Sequence, residues 1–194
     1  MKINILPDAI LLQIFDFYLQ GTYKWNHNCQ WHKLVHVCRR WRSIIFRWPF
    51  RLNVHHYCTG RKLVRQKLDV WPPSVPIRLA VYGLGKPDHC VDNVIAALEH
   101  NNRVCEIEMR NLTSPELEKI LEAMQKPFPA LKALDLSADQ TSGEGTAQLI
   151  RAPDSFLGGS APRLRMLFLY SIPVPFPGLQ KLLWSAVDLN DLSL

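Results

Sequence analysis

The hexapeptide Leu131-Lys132-Ala133-Leu134-Asp135-Leu136 carries an L-x-x-L-x-L pattern that occurs four times in this chain of 194 residues. The other copies are Val104-x-x-Ile107-x-Met109, Leu164-x-x-Leu167-x-Leu169 and Leu189-x-x-Leu192-x-Leu194. Side chains alternate along a strand, so the last two apolar positions of each copy are expected to face a core. The residues beside them are expected to face the other side of the sheet.

The spacing of the copies is typical of a repeat protein. Successive copies start 27, 33 and 25 residues apart, and leucine-rich repeats have a period of about 20–29 residues. A weaker copy of ambiguous register begins at Ile77, and helical patterns at residues 88–100 and from Ser114 onward lie between the copies. Because one strand-and-helix unit cannot bury its apolar face alone, successive units stack. The sequence therefore predicts a short α/β leucine-rich-repeat solenoid with a parallel sheet over residues 77–194. The alternative is an ordinary α/β domain with leucine-rich strands.

The last copy of the pattern has no capping unit after it. A solenoid needs a terminal unit with a polar outer face, because each repeat leaves an apolar side for the next to cover. We therefore expect that the solenoid is truncated at its C-terminal end or that another chain covers this end. The alternative is that residues 171–188 fold back as a cap.

The first 52 residues carry a different pattern, that of a helical module. Residues 8–19 and 31–46 have apolar side chains at helical spacing, and the polar stretch 20–30 between them is predicted to be a loop. Residues 53–76 follow, and they contain the stiff sequence Trp71-Pro72-Pro73-Ser74-Val75-Pro76. Prolines at this density favour a domain boundary, so we predict a linker here.

The net charge of +6 is unevenly distributed. No acidic residue lies between Asp16 and Asp69, whereas this segment holds eleven lysines and arginines. A basic segment favours an acidic partner, either nucleic acid or an acidic protein surface. Nucleic-acid binding through residues 24–67 is therefore the alternative function. Against it, the loop of about eleven residues between the helices is longer than the turn of a helix-turn-helix motif.

Two stretches of the N-terminal module resemble the two halves of an F-box, over residues 3–52. They are Leu6-Pro7-Asp8-Ala9-Ile10-Leu11-Leu12-Gln13-Ile14-Phe15 and Leu34-Val35-His36-Val37-Cys38-Arg39-Arg40-Trp41-Arg42. An F-box followed by leucine-rich repeats resembles the substrate receptors of SCF-type cullin–RING ubiquitin ligases. The resemblance implies docking on an acidic Skp-type adaptor protein and, through it, on the cullin–RING ligase. Ala9 stands where the family often has an acid, and the 20–30 loop is longer than usual.

This resemblance and the apolar pattern together predict two binding surfaces. We expect adaptor contact from nine apolar positions of the helical module, namely Leu6, Pro7, Ile10, Leu11, Ile14, Phe15, Val37, Cys38 and Trp41. We expect a target protein, of unknown identity, to contact the outward positions of the repeat strands. These are Glu106, Glu108, Arg110, Asp135, Ser137, Met166, Phe168 and Tyr170. Aromatic residues flanked by acids suit a partner segment that is both basic and apolar.

The sequence offers no convincing catalytic or cofactor site, so we expect neither an enzyme nor a cofactor. Gly83-Leu84-Gly85 lies in the context of a dinucleotide-binding turn, but Asp88 stands where the third glycine belongs. His32 and His36, near His27 and Cys29, have a spacing that zinc accepts, but no cysteine pair completes a site, and we predict no metal. Five cysteines without a C-x-x-C pair and no apolar run of membrane-spanning length predict an intracellular protein in the cytoplasm, the nucleus or both.

Overall fold

The computed structural model describes residues 5–20, 31–52, 54–59, 64–82, 89–138 and 150–194. The chain divides into two compact units, one of Met1–Tyr57 with Trp71–Pro76 and the other of Cys58–Val70 with Ile77–Leu194. Each unit buries its own hydrophobic cluster. None of the helices in the described ranges is long and apolar enough to cross a membrane.

The first unit is helical. Its helices are α1 (Asp8–Gln20), α2 (Trp31–Val35) and α3 (Arg39–Arg47). Trp31 is almost fully buried at the centre of their cluster, and its indole N–H donates to the carbonyl of His55 at 3.0 Å. The rings of Phe46, His56 and Trp71 pack around the Trp31 ring with centroids 5.2–6.2 Å away. Of the loop predicted at residues 20–30, Gln20 is the last residue of α1, and the rest lies outside the described residues.

The helix predicted over residues 31–46 is broken at residues 36–38. Cys38 has extended backbone angles (φ −160°, ψ 170°) and precedes α3 as its N-cap. Ile44 follows Val35 by nine residues, which is about two and a half helical turns, so an unbroken helix would point these two side chains in opposite directions. Both are buried in the same cluster. The break therefore lets α2 and α3 share one core.

The second unit is a mixed α/β structure that includes most of a six-stranded sheet. After β1 (His56–Cys58), of which only Cys58 belongs to this unit, the elements are, in chain order, α4 (Val64–Val70), β2 (Ile77–Tyr82), α5 (His89–Leu98), β3 (Val104–Leu112), α6 (Ser114–Ala123), β4 (Ala133–Ala138), a 3₁₀ turn (Phe156–Gly159), β5 (Met166–Tyr170), α7 (Phe176–Ser185) and β6 (Asp191–Ser193). The 53–76 segment is thus not the linker that the sequence predicts. It contains β1 and α4, because Cys58, Val64 and Leu68 have apolar surface that the core of this unit buries.

The strands lie in sequential order, β1-β2-β3-β4-β5-β6, and β2 to β6 pair in parallel. Crossovers between parallel strands are right-handed with few exceptions. When every crossover joins nearest neighbours in the same direction, all of them lie on the same face of the sheet. The helices consequently lie on one face. Among the described residues, the outward side chains of β3, β4 and β5 on the other face, the open face, are exposed or half-buried, which differs from the two-sided cover usual for parallel sheets.

The covered face carries the apolar positions of the repeated pattern. Ile107 pairs with Leu134, Leu134 with Leu167 and Leu167 with Leu192, so equivalent residues of the four copies form one row. The first three residues of this row are buried. Leu192, in the last copy, is 47% exposed, and Leu194 is 62% exposed. The apolar residues of the last copy are therefore more exposed than their equivalents in the other three copies.

Candidate functional site

The open face of the sheet collects the outward residues of β2 to β5 into three rows that run across the strands. In the first row Arg78, Glu106, Ala133 and Met166 are neighbours. In the second row Glu108, Asp135 and Phe168 are neighbours, and in the third Ser137 pairs with Tyr170. All eight predicted target-contact positions lie on this face, because parallel pairing in register brings the outward positions of successive strands side by side.

Charged side chains on this face are linked by ion pairs. Arg78 contacts Glu106, with Nε and Oε2 2.9 Å apart. Arg110 contacts two carboxylates, since its Nη2 lies 2.6 Å from Asp135 Oδ2 and 3.2 Å from Glu108 Oε1. Two acids therefore share one guanidinium. The backbone N–H of Asn111, whose φ of 57° marks an irregular end of β3, donates to the hydroxyl of Ser137 at 3.1 Å.

Asp135 is the least solvated acid of these ion pairs. Its side chain is 15% exposed, against 27% for Glu108 and 33% for Glu106. Oδ1 of Asp135 is buried and has no hydrogen-bond partner among the described residues. The side chain lines a shallow groove of about 180 Å³, whose walls include Arg78, Glu108, Arg110 and Phe168. A buried carboxylate oxygen without a donor is unfavourable, so this site gains from an added donor or cation.

An apolar strip borders the groove on β5. Met166 and Tyr170 are 39% and 46% exposed, and the ring of Phe168 between them is half-buried. The Phe168 and Tyr170 rings lie nearly parallel, 6.3 Å apart between centroids. Large apolar side chains that remain exposed side by side are a feature of protein-binding surfaces.

A second candidate surface lies on α1, in the helical unit. Ile10, Ile14 and Phe17 follow one another at helical spacing, so they form a single stripe along the helix. All three side chains are exposed, and Phe17 is 82% exposed. Leu11 and Phe15 lie on the other side of the same helix and are fully buried. Helix α1 thus has two apolar faces, and only one of them is used by the core of its own unit.

The structure corrects the predicted adaptor-contact set at two positions. Leu11 and Phe15 have no exposed surface, because they pack in the core of the helical unit, so their side chains do not form part of a docking surface. The other seven predicted residues, Leu6, Pro7, Ile10, Ile14, Val37, Cys38 and Trp41, are exposed or half-buried. Phe15 contacts Trp41, with ring centroids 4.7 Å apart, so Trp41 is partly a core residue.

Sequence reasoning missed two residues that belong to these surfaces. Arg78 pairs with Glu106 on the sheet, but the register of the copy that begins at Ile77 is ambiguous in the sequence. Phe17 extends the α1 stripe, and its place seven residues after Ile10 was the available signal. No cluster of three or more metal-ligand side chains occurs among the described residues. The Gly83–Asp88 turn, His27 and Cys29 lie outside them.

No protein-family model, no curated protein and no solved structure matches this chain.

Proposed function

We propose that this protein is a substrate receptor of an SCF-type ubiquitin ligase and acts in the cytoplasm, the nucleus or both. In this proposal the helical unit docks on a Skp-type adaptor, and the open face of the sheet holds the protein to be ubiquitinated. The receptor itself needs no catalytic group, because the ligase chemistry resides in the other subunits. The F-box-like pattern of residues 3–52 leads to this proposal.

The observation that carries the proposal is the second apolar face of α1. Ile10, Ile14 and Phe17 lie within the F-box-like residues 3–52, and the core of the helical unit leaves all three exposed. Val37, just before α3, is also 57% exposed. Exposed apolar side chains in an ordered helix are costly in water and are accounted for when a partner buries them. Arg39, Arg42 and Arg47 on α3 are exposed and suit an acidic adaptor.

The leucine-rich-repeat interpretation of the second unit is part of the proposal. The sequential parallel strand order and the row of equivalent apolar residues support it, since both follow when identical units stack. A stacked sheet with one open face offers a broad surface built from several strands. This is the kind of surface on which repeat proteins bind other proteins.

Co-purification with a Skp-type adaptor tests the proposal. We expect the full chain to retain the adaptor, and Ile14→Asp and Phe17→Asp to lose it, because each places an unpaired charge in a desolvated interface. Val70→Asp is the matched control, since Val70 is an exposed apolar residue of the other unit. A folded wild-type chain that fails to retain the adaptor, or retention by all four proteins, contradicts the proposal.

Nucleic-acid binding is the second candidate because α3 exposes the same three arginines and the ring of Trp48. It predicts retention of the chain on DNA or RNA that falls steeply with salt, by the release of counterions from the phosphates. Weak retention without a salt dependence of this kind excludes it.

A further inference from the structure

We propose that the groove on the open sheet face binds one lysine or arginine side chain of the target protein, with a neighbouring apolar side chain of the target on the β5 strip. This inference rests on the proposed function, since it gives the chemistry of the segment that the receptor recognises. The basic side chain pairs with Asp135, and the apolar side chain packs on Met166 and Phe168.

The charges of the groove point to a cation. Arg78 is paired one-to-one with Glu106, whereas Arg110 is shared between Glu108 and Asp135. The Glu108–Arg110–Asp135 cluster therefore has one more negative than positive charge. A phosphate or a carboxylate would be repelled by this excess, and a positive side chain would be attracted.

The burial of Asp135 strengthens this attraction. Its Oδ1 atom is covered and lacks a donor among the described residues, and Arg110 binds only Oδ2. A carboxylate that is partly removed from water interacts more strongly with a nearby cation than an exposed one does. Rotation of the carboxylate about its last torsion, which is soft, brings either oxygen toward the groove. Asp135 is therefore the residue that pairs with the basic side chain, and the negative charge of Glu108 adds to the attraction.

The size and composition of the groove favour a single basic side chain over a small-molecule cation or a metal ion. Its volume of about 180 Å³ is below the roughly 300 Å³ at which small-molecule sites begin, so it suits a single side chain. A metal ion needs several oxygen or nitrogen ligands, and within the described ranges no group of three such residues is present. The guanidinium of Arg110 between the two acids also repels a metal ion.

The register of the sheet sets the spacing of the two target side chains. Asp135 lies directly opposite Phe168 on the neighbouring strand, and neighbouring strands are about 4.8 Å apart. In an extended chain, residues i and i+2 point to the same side about 6.6–7 Å apart. A basic residue followed two positions later by an aromatic or aliphatic residue therefore reaches both parts of the surface.

NMR titration of the full, ¹⁵N-labelled chain with acetyl-Gly-Lys-Gly-Phe-Gly-amide tests the proposal, with the peptide that carries Glu in place of Lys as the comparison. We expect the lysine peptide to shift the amide signals of residues 133–137 and 166–170. We expect the glutamate peptide, or the Asp135→Asn chain, to raise the dissociation constant by about tenfold or more. Absence of shifts in these two strands at about 5 mM lysine peptide overturns the proposal.

Glu118→Gln is the matched control, because it removes an exposed carboxylate of the same unit that lies on α6, outside the groove. We expect it to change the dissociation constant much less than Asp135→Asn does. Equal effects of the two variants, or equal binding of the two peptides, overturn the assignment of Asp135. If the chain binds the lysine peptide at this site but does not retain a Skp-type adaptor, the proposal for the groove stands and the proposed receptor function is wrong.

Discussion

Arg40 of α3 and Asp8 at the start of α1 form an ion pair, with Nη2 and Oδ1 2.6 Å apart, although 32 positions separate them in the chain. The same guanidinium donates to the backbone carbonyl of Leu6. These contacts join the two halves of the F-box-like pattern. They also stabilise the beginning of α1, directly before the exposed stripe of Ile10, Ile14 and Phe17.

This ion pair is expected to contribute modestly to stability. The Arg40 and Asp8 side chains are 37% and 59% exposed, so solvent screens their attraction. In a double-mutant cycle with Asp8→Asn and Arg40→Met, we expect a coupling free energy of about 0.2–1 kcal/mol. Urea unfolding followed by tryptophan fluorescence measures it, because five of the six tryptophans belong to the helical unit. A coupling well above this range would show that the pair is effectively desolvated.

Leu11→Asp and Ile14→Asp are expected to fail in different ways, although the two residues are only three positions apart. Leu11 is fully buried, so a charge there should unfold the helical unit, at a cost of several kcal/mol. Ile14 is 41% exposed, so its variant should remain folded and lose only adaptor binding. Circular dichroism melting curves measured beside the adaptor pull-down separate the two effects. A folded Leu11→Asp chain would place Leu11 outside the core.

The turn before β5 is expected to depend on Gly158 more than on Gly159. Both glycines have positive φ, 58° and 66°, so alanine at either position should cost about 1–2 kcal/mol in backbone strain. A Cβ atom on Gly158 would lie 2.6 Å from the backbone nitrogen of Pro127, whereas one on Gly159 would be 3.5 Å from its nearest neighbour, Cβ of Lys181. Urea unfolding followed by far-UV circular dichroism should therefore give the larger loss for Gly158→Ala. Equal losses would mean that the chain at Pro127 moves aside freely.

Burial in β3 raises the pKa of the Cys105 thiol to about 12, with a smaller contribution in the same direction from Glu106. The thiol donates to the carbonyl of Ile77 at 3.2 Å. In the unfolded chain the thiol has its ordinary pKa of 9.0. Between these two values the folded chain keeps a proton that the unfolded chain loses, so raising the pH lowers the free energy of unfolding.

The expected slope from this one group is about 1.4 kcal/mol per pH unit, present above pH 9 and absent below it. Other groups also titrate in this range, so the measurement compares wild type with Cys105→Ala. The difference between their free energies of unfolding should decrease as the pH rises from 9 toward 12. A difference that stays constant with pH would mean that the folded thiol ionises normally.

The parts of the structure that follow from local periodicity could be predicted from the sequence. The L-x-x-L-x-L copies identify β3 to β6 and, in the first three of these strands, which residues face the core, since side chains alternate with a period of two. For the same reason the target-contact positions could be assigned to one face. The pairing of Arg110 with both Glu108 and Asp135 could not be predicted, because it depends on strand register and on side-chain rotamers.

The helical unit shows where periodicity is insufficient. Helix α1 is apolar on two sides, so its spacing alone cannot tell whether the stripe of Leu11 and Phe15 or that of Ile10 and Ile14 faces the core. In the structure Leu11 and Phe15 face the core, because their side of α1 packs in one cluster with α3. In the same way, the break at residues 36–38 exists because Val35 and Ile44 must reach one cluster, a requirement that no local window of sequence contains.

Composition and short-range periodicity were therefore sufficient to predict the two-part organisation of this protein and the inward residues of β3, β4 and β5. Three features depended on tertiary packing: residues 56–58 and 64–70 form a strand and a helix, two predicted contact residues are core, and Asp135 has a carboxylate oxygen with no donor within the described ranges. These outcomes depend on contacts between residues far apart in the chain. Such contacts exist only after the units have packed.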